Sequence, residues 1–174
     1  MLKSISKSAI LALMLVSSIS AYQSTEWVKI APVGAGFSVM MPAKPEEEVR
    51  PGDDLTAHLF RVTTDNALYI VAYGEYAPSV NLKVDDELIA NRDKFLQGLG
   101  AGLTSSRAIS VDRHQGLEFT AESDQAAFKS RIFIFGYRFH QITVAIFKGK
   151  EDTANANRFF ASFEFTKPEA RQKP

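Results

Sequence analysis

The chain contains no cysteine. Disulfides, thiol nucleophiles and thiolate metal ligands are excluded, and so is a lipid anchor carried on a first mature cysteine. Histidine is almost as scarce: His58, His114 and His140 are the only three, and none lies within five residues of another. General bases are therefore few, and the paired-histidine spacings that announce metal centres do not occur. Net charge is missing as well, with 20 basic side chains against 20 acidic ones. Nucleic-acid and membrane-surface binding both rely on a basic field, so neither is expected. No apolar run approaches the roughly 20 residues that a membrane-spanning helix needs, and no stable membrane anchor is expected.

What is present begins with a leader. Lys3 and Lys7 precede the short apolar run AILALMLV at positions 9–16, and the small residues SSISA follow at positions 17–21. That order is the secretory pattern, with cleavage near Ser20 or Ala21 and a secreted or periplasmic product. Removing residues 1–21 leaves 153 of the chain's 174 residues, enough for a single core. Because the leader carries two lysines and no acid, the mature charge is −2. Without disulfides, stability must come from burial, for which 13 Phe and 5 Tyr supply the material.

The mature chain is expected to be one α+β domain over residues 22–167, with residues 168–174 as a flexible tail. Short strands are predicted at 28–30 and 36–41, followed by Glu46, Glu47 and Glu48 in a solvated loop or edge strand and a turn at 51–54. Segments 55–63 and 68–76 are predicted strands; the second is apolar on both faces and so is placed mid-sheet, covered on both sides. Asp85 or Asp86 caps a predicted helix whose apolar face runs through Leu88, Ile89, Phe95, Leu96, Leu99 and Leu103. Gly98, Gly100 and Gly102 end it, so they do not form a phosphate-binding turn, which would open a helix. Strands are predicted at 104–113 and 117–123 around a turn at 113–116, then at 128–136 and 139–148. A second helix over 151–161, capped by Asp152 or Thr153, turns Phe159 and Phe160 inward, with Phe163 and Phe165 closing the fold. The whole is a twisted, mainly antiparallel sheet of about six to eight strands with two main helices packed on it.

Candidate site residues follow from chemistry and placement. If the loop lies at 123–126, antiparallel register sets Glu118 opposite Arg131 and Thr120 opposite Lys129. A polar pair inside an apolar sheet is either a structural ion pair or a site. His114 sits in the predicted hairpin turn beside Asp112, where loops carry function; with a serine such as Ser105 or Ser110 they supply the residue types of a hydrolase. Tyr69, Tyr73 and Tyr76 are expected to form an exposed partner surface. No Gly-x-Ser-x-Gly elbow, metal-ligand spacing or cofactor motif occurs, so no metal and no cofactor is expected.

The order of several pieces also resembles a known group. A Trp near the mature start is followed by Gly-Phe-Ser-Val-x-x-Pro at 36–42, Gly-Leu-Glu-Phe at 116–119, strands 130–137 and 138–144, and Phe-Phe-Ala-Ser-Phe at 159–163. This order resembles exported bacterial domains with the PsbP-like α/β/α sandwich, named for an extrinsic subunit of the photosynthetic oxygen-evolving complex. The resemblance implies an antiparallel sheet with helices on its faces, and a binding, assembly or scaffold role more often than an enzymatic one. The leading expectation is a non-catalytic exported module for an unknown protein or small-molecule partner. The alternatives are a small exported hydrolase with a site assembled from scattered residues, and a carrier holding a small apolar ligand between the long helix and the sheet.

Overall fold

The computed structural model describes residues 26–51 and 55–166. The expected leader, the expected tail and most of the turn predicted at 51–54 lie outside the described residues. Ten strands and two helices follow in chain order: β1 (Val28–Ile30), β2 (Phe37–Met41), β3 (Glu46–Arg50), β4 (Leu55–Thr63), β5 (Ala67–Tyr76), α1 (Val84–Leu99), β6 (Gly102–Val111), β7 (His114–Glu122), β8 (Ala126–Phe135), β9 (Arg138–Phe147), α2 (Thr153–Ser162) and β10 (Glu164–Phe165).

Strands β5 and β9 pair with each other at the centre of a seven-stranded sheet ordered β3-β4-β5-β9-β8-β7-β6. Every neighbour in it is antiparallel. A three-stranded sheet ordered β1-β2-β10 packs with α2 over one face. Helix α1 covers part of the other face, above β7 and β8. This is the expected α+β architecture.

Side-chain alternation divides the core in two. Phe60, Val62, Tyr69, Val71, Phe133, Ile142 and Val144 point toward the small sheet and α2, where they meet Phe37, Val39, Met41, Phe159, Phe160 and Phe163. Their neighbours Phe119, Ala121, Ile132, Ile134 and Phe139 point toward α1 and meet Leu88 and Leu96. The expectation for β5 holds on one face: Tyr69 and Val71 are buried, whereas Leu68 and Ile70 are half-exposed because α1 lies to one side of them.

Three boundaries differ from expectation. Gly100 adopts φ +60° and stops α1 at Leu99, so Leu103 belongs to β6 and Gly98 remains inside the helix. Lys83, not Asp85 or Asp86, occupies the N-cap position, and the two acids fall in the first turn, where they favour the helix dipole. The β6–β7 turn is tighter than expected and lies earlier: Asp112 (φ +49°) and Arg113 (φ +68°) form it alone, and β7 starts at His114. Positive φ at both central residues is the two-residue hairpin geometry that matches strand twist.

Candidate functional site

The antiparallel register sets Arg107, Glu118 and Arg131 side by side across β6, β7 and β8. Cross-strand neighbours share a face, here the α2 face. Arg131 Nε donates to Glu118 Oε2 at 2.7 Å and Arg107 Nε to Oε1 at 2.9 Å, while Lys129 Nζ stands 3.7 Å from Oε2. The carboxylate is buried, yet Arg107 is largely exposed. Burial is the largest influence on the Glu118 carboxyl and works to raise its pKa; the hydrogen bonds from Arg131 and Arg107 and the charge of Lys129 outweigh it, and the net displacement is downward. Lys129 and Arg131 also lie over the Phe160 ring, 5.2 and 5.0 Å from its centroid. The expected Glu118–Arg131 pair is therefore one edge of a cluster with three cations, which ties the sheet to α2.

His114 and Asp112 are not brought into a catalytic arrangement with either serine. The His114 ring stacks on Phe135 at 4.1 Å and meets Phe165 edge-on at 4.5 Å. Ser110 pairs with Gln115 and so projects to the opposite face of the sheet. Ser105 bonds the Thr120 hydroxyl at 2.7 Å, and Thr120 lies six steps along β7 from His114, about 20 Å away. His140 is buried; its Nε2 lies 2.8 Å from the Ala35 carbonyl and its Nδ1 has no partner. Burial is the main cause that pushes its pKa down to about 4, so the ring is neutral near pH 7 and Nε2–H donates.

The tyrosines are not an exposed surface. Tyr69 and Tyr76 are buried and Tyr73 is half-buried. Each buried hydroxyl finds a polar partner, as buried phenols do. Tyr69 donates to Asp152 at the start of α2, and Tyr76 donates to Glu87 at 3.0 Å while accepting from Asn91 of α1 at 2.9 Å. Burial, the leading cause, raises both phenol pKa values, and the carboxylate partners add to it. These side chains fasten the two helices to β5. Tyr73 stacks on His58 at 4.8 Å.

An open surface cleft lies elsewhere, where α1 passes beside the edge strand β6. A cleft of about 660 Å³ runs between them, bounded by Asp85, Leu88, Ile89, Ala108, Ser110 and Leu117. It is open to solvent, unlike the closed apolar cavity that a carrier of small apolar ligands needs. The cleft exists because the β6 side chains facing α1 are small: Ser106, Ala108 and Ser110 alternate along the strand. Arg92 of α1 reaches across to the Ser106 hydroxyl at 3.1 Å. Ile89, Leu99 and Leu103, three of the large apolar residues that stay exposed, belong to α1 and β6. The alternation of small residues was visible in the sequence, but their position at a sheet edge was not. Among the described residues no three or more His, Asp or Glu converge as metal ligands, and no helix is long and apolar enough to cross a membrane.

No family profile and no curated protein sequence matches the chain. Among solved structures, it is similar to the solution structure of cyanobacterial PsbP (CyanoP) from Synechocystis sp. PCC 6803, with a TM-score of 0.59 at 11% identity, covering 86% of this chain and 98% of that one. A Bacteroides thetaiotaomicron VPI-5482 crystal structure matches with a TM-score of 0.45 at 15% identity, over 80% of this chain and 48% of that one. The fold is PsbP-like.

Proposed function

We propose that this chain is an exported, non-catalytic binding or assembly module. The observation that carries the reading is the α1–β6 surface: an edge strand with small side chains beside an apolar cleft, on a sandwich whose other long edge is guarded. That other edge, β3, presents Glu46, Glu47, Glu48 and Arg50 to solvent or near it, the charged pattern that discourages further pairing. β6 carries a single charged residue, Arg107. The secretory pattern of residues 1–21 supports export, and the PsbP-like fold is compatible with a binding role without specifying one.

Site-specific photo-crosslinking tests the reading in the native host. A photoreactive residue at Ala108 is expected to give a discrete adduct outside the cytoplasm, and the same group at Glu47 on the guarded edge is expected to give none. Equal adduct patterns from both positions, or a protein that stays in the cytoplasm with residues 1–21 attached, would overturn it.

A further inference from the structure

We propose that β6 accepts an extended segment of a partner protein as an eighth strand, with apolar side chains of that segment entering the α1–β6 cleft and acidic ones meeting Arg107 on the other face. The inference rests on the binding-module reading and names the chemistry of the partner. Three observations carry it.

The first is backbone. Among the described residues β6 pairs with β7 alone, so its outer row of N–H and C=O groups is left for another chain. Such a row is a template for strand addition, in which main-chain bonds supply affinity and alternate side chains supply specificity. The register slips between Leu103 and Ser105, so the regular run available to a partner is Ser105–Val111. The other strands at sheet edges are either charged, as β3 is, or short: β1 has three residues and β10 has two.

The second observation is space. On the α1 side, Ala108 and Ser110 rise little above the sheet, and Asp85, Leu88 and Ile89 wall the cleft from the helix, while Arg92 closes it at Ser106. Ile89 is 46% exposed, although it belongs to a helix that packs on the sheet. A segment lying beside β6 projects every second side chain to this side, where apolar groups lean over Ala108 to reach Leu88 and Ile89.

Charge is the third observation. On the α2 side, Arg107 is 68% exposed and points from β6 beside Arg131 and Lys129. Glu118 answers these three cations, and Glu122 is the other carboxylate on that face of β7. The local charge balance is positive on a chain whose mature part carries 18 basic against 20 acidic side chains. Acidic residues at the alternate positions of the incoming strand match it.

A random peptide library displayed on phage, panned against the purified full-length protein, supplies the probe, and the selected peptide is then synthesised. Alternating apolar and acidic residues are expected among the selected sequences. Binding is expected to slow amide hydrogen exchange within Ser105–Val111 by about tenfold or more. Ile89→Glu on the exposed flank of α1 is expected to weaken binding about tenfold, and Arg107→Gln to weaken acidic peptides more than neutral analogues. Protection elsewhere overturns strand addition but leaves a binding module standing. Failure to select any binder overturns strand addition, while the Ala108 crosslink separately decides the broader reading. Protection of Ser105–Val111 without peptide also overturns the proposal: if it rises with protein concentration it assigns the edge to a second copy, and if not, to a segment of the chain itself.

Discussion

Two buried ionisable residues divide the acid sensitivity of this protein between separate pH windows. His140 is held neutral, with a pKa lowered from 6.5 to about 4. The unfolded chain therefore binds a proton that the folded chain refuses across that interval, and stability falls as pH drops from about 6.5 to 4, by at most about 1.4 kcal/mol per pH unit. Glu118 acts lower: its folded pKa lies below the ordinary 4.5, so its contribution is complete above 4.5 and is lost as pH falls through the depressed value. Urea unfolding followed from pH 7 to 3 separates them. His140→Phe strands the Ala35 carbonyl and is expected to cost about 1–3 kcal/mol at pH 7, but its stability should stay flatter between 6.5 and 4 than that of the wild type. Glu118→Gln is expected to cost a similar amount at pH 7, because the charge is lost and one of the two oxygens that accept from Arg131 and Arg107 becomes an NH2 donor, with the gap to wild type narrowing below 4.5. Profiles parallel to wild type in both variants would remove these two residues as the source. Residue chemistry was partly legible in the sequence. The alternation of hairpins set Glu118 against Arg131, whereas Tyr69 and Tyr76 look like surface residues until the Asp152, Glu87 and Asn91 groups that satisfy their hydroxyls are known.

Elements were legible where a local signal fixed their ends, and misplaced where a distant contact did. Gly116 draws the β6–β7 turn toward itself in the sequence because glycine marks turns. In the fold it sits inside β7 for another reason: a Cβ there would lie 2.5 Å from Cδ1 of Phe133 and 2.4 Å from the Ile132 carbonyl oxygen, so only glycine lets that neighbour pack. The turn falls to Asp112 and Arg113, which carry no glycine to announce it. The end of α1 shows the opposite case. The apolar spacing of Leu99 and Leu103 carries the helical pattern past its end, but Gly100 at φ +60° lets the backbone turn into β6. Nothing lies within 4 Å of a Cβ built at Gly100, so Gly100→Ala isolates the cost of the left-handed backbone. Thermal or urea unfolding is expected to show a loss of about 1–2 kcal/mol. A neutral result would mean that the α1–β6 junction can shift, and with it the edge on which the proposed strand addition depends.

At the scale of the whole molecule, the two cores share one sheet but differ in depth. The α2 face joins aromatic and aliphatic groups from the small sheet, α2 and the central strands, and α2 buries Ala156, Phe159 and Phe160 within ten residues. The α1 face is thinner: α1 buries only Leu88 and Leu96 within sixteen residues and leaves Ile89 and Leu99 exposed. This imbalance was not legible in the sequence, where both helices show an apolar face and β5 looks covered on both sides. It depends on where α1 lands, which is over β7 and β8 beside the cleft and not over Leu68 and Ile70. Regions with few buried apolar contacts open at lower free energy than the strands they cover. Native-state hydrogen exchange under mild denaturant is therefore expected to release α1 amides before those of β5, β8, β9 and α2, in a sub-global opening that exposes Leu117 and Phe119. Removing one anchor sharpens the test: Tyr76→Phe deletes the hydroxyl between Glu87 and Asn91, and should lower the opening free energy of α1 by about 1 kcal/mol with little effect on α2. Tyr69→Phe, which cuts the Asp152 contact, should do the reverse. Coincident opening of both helices in the wild type and in both variants would show that the sheet couples its two faces into one cooperative unit, despite their unequal cores.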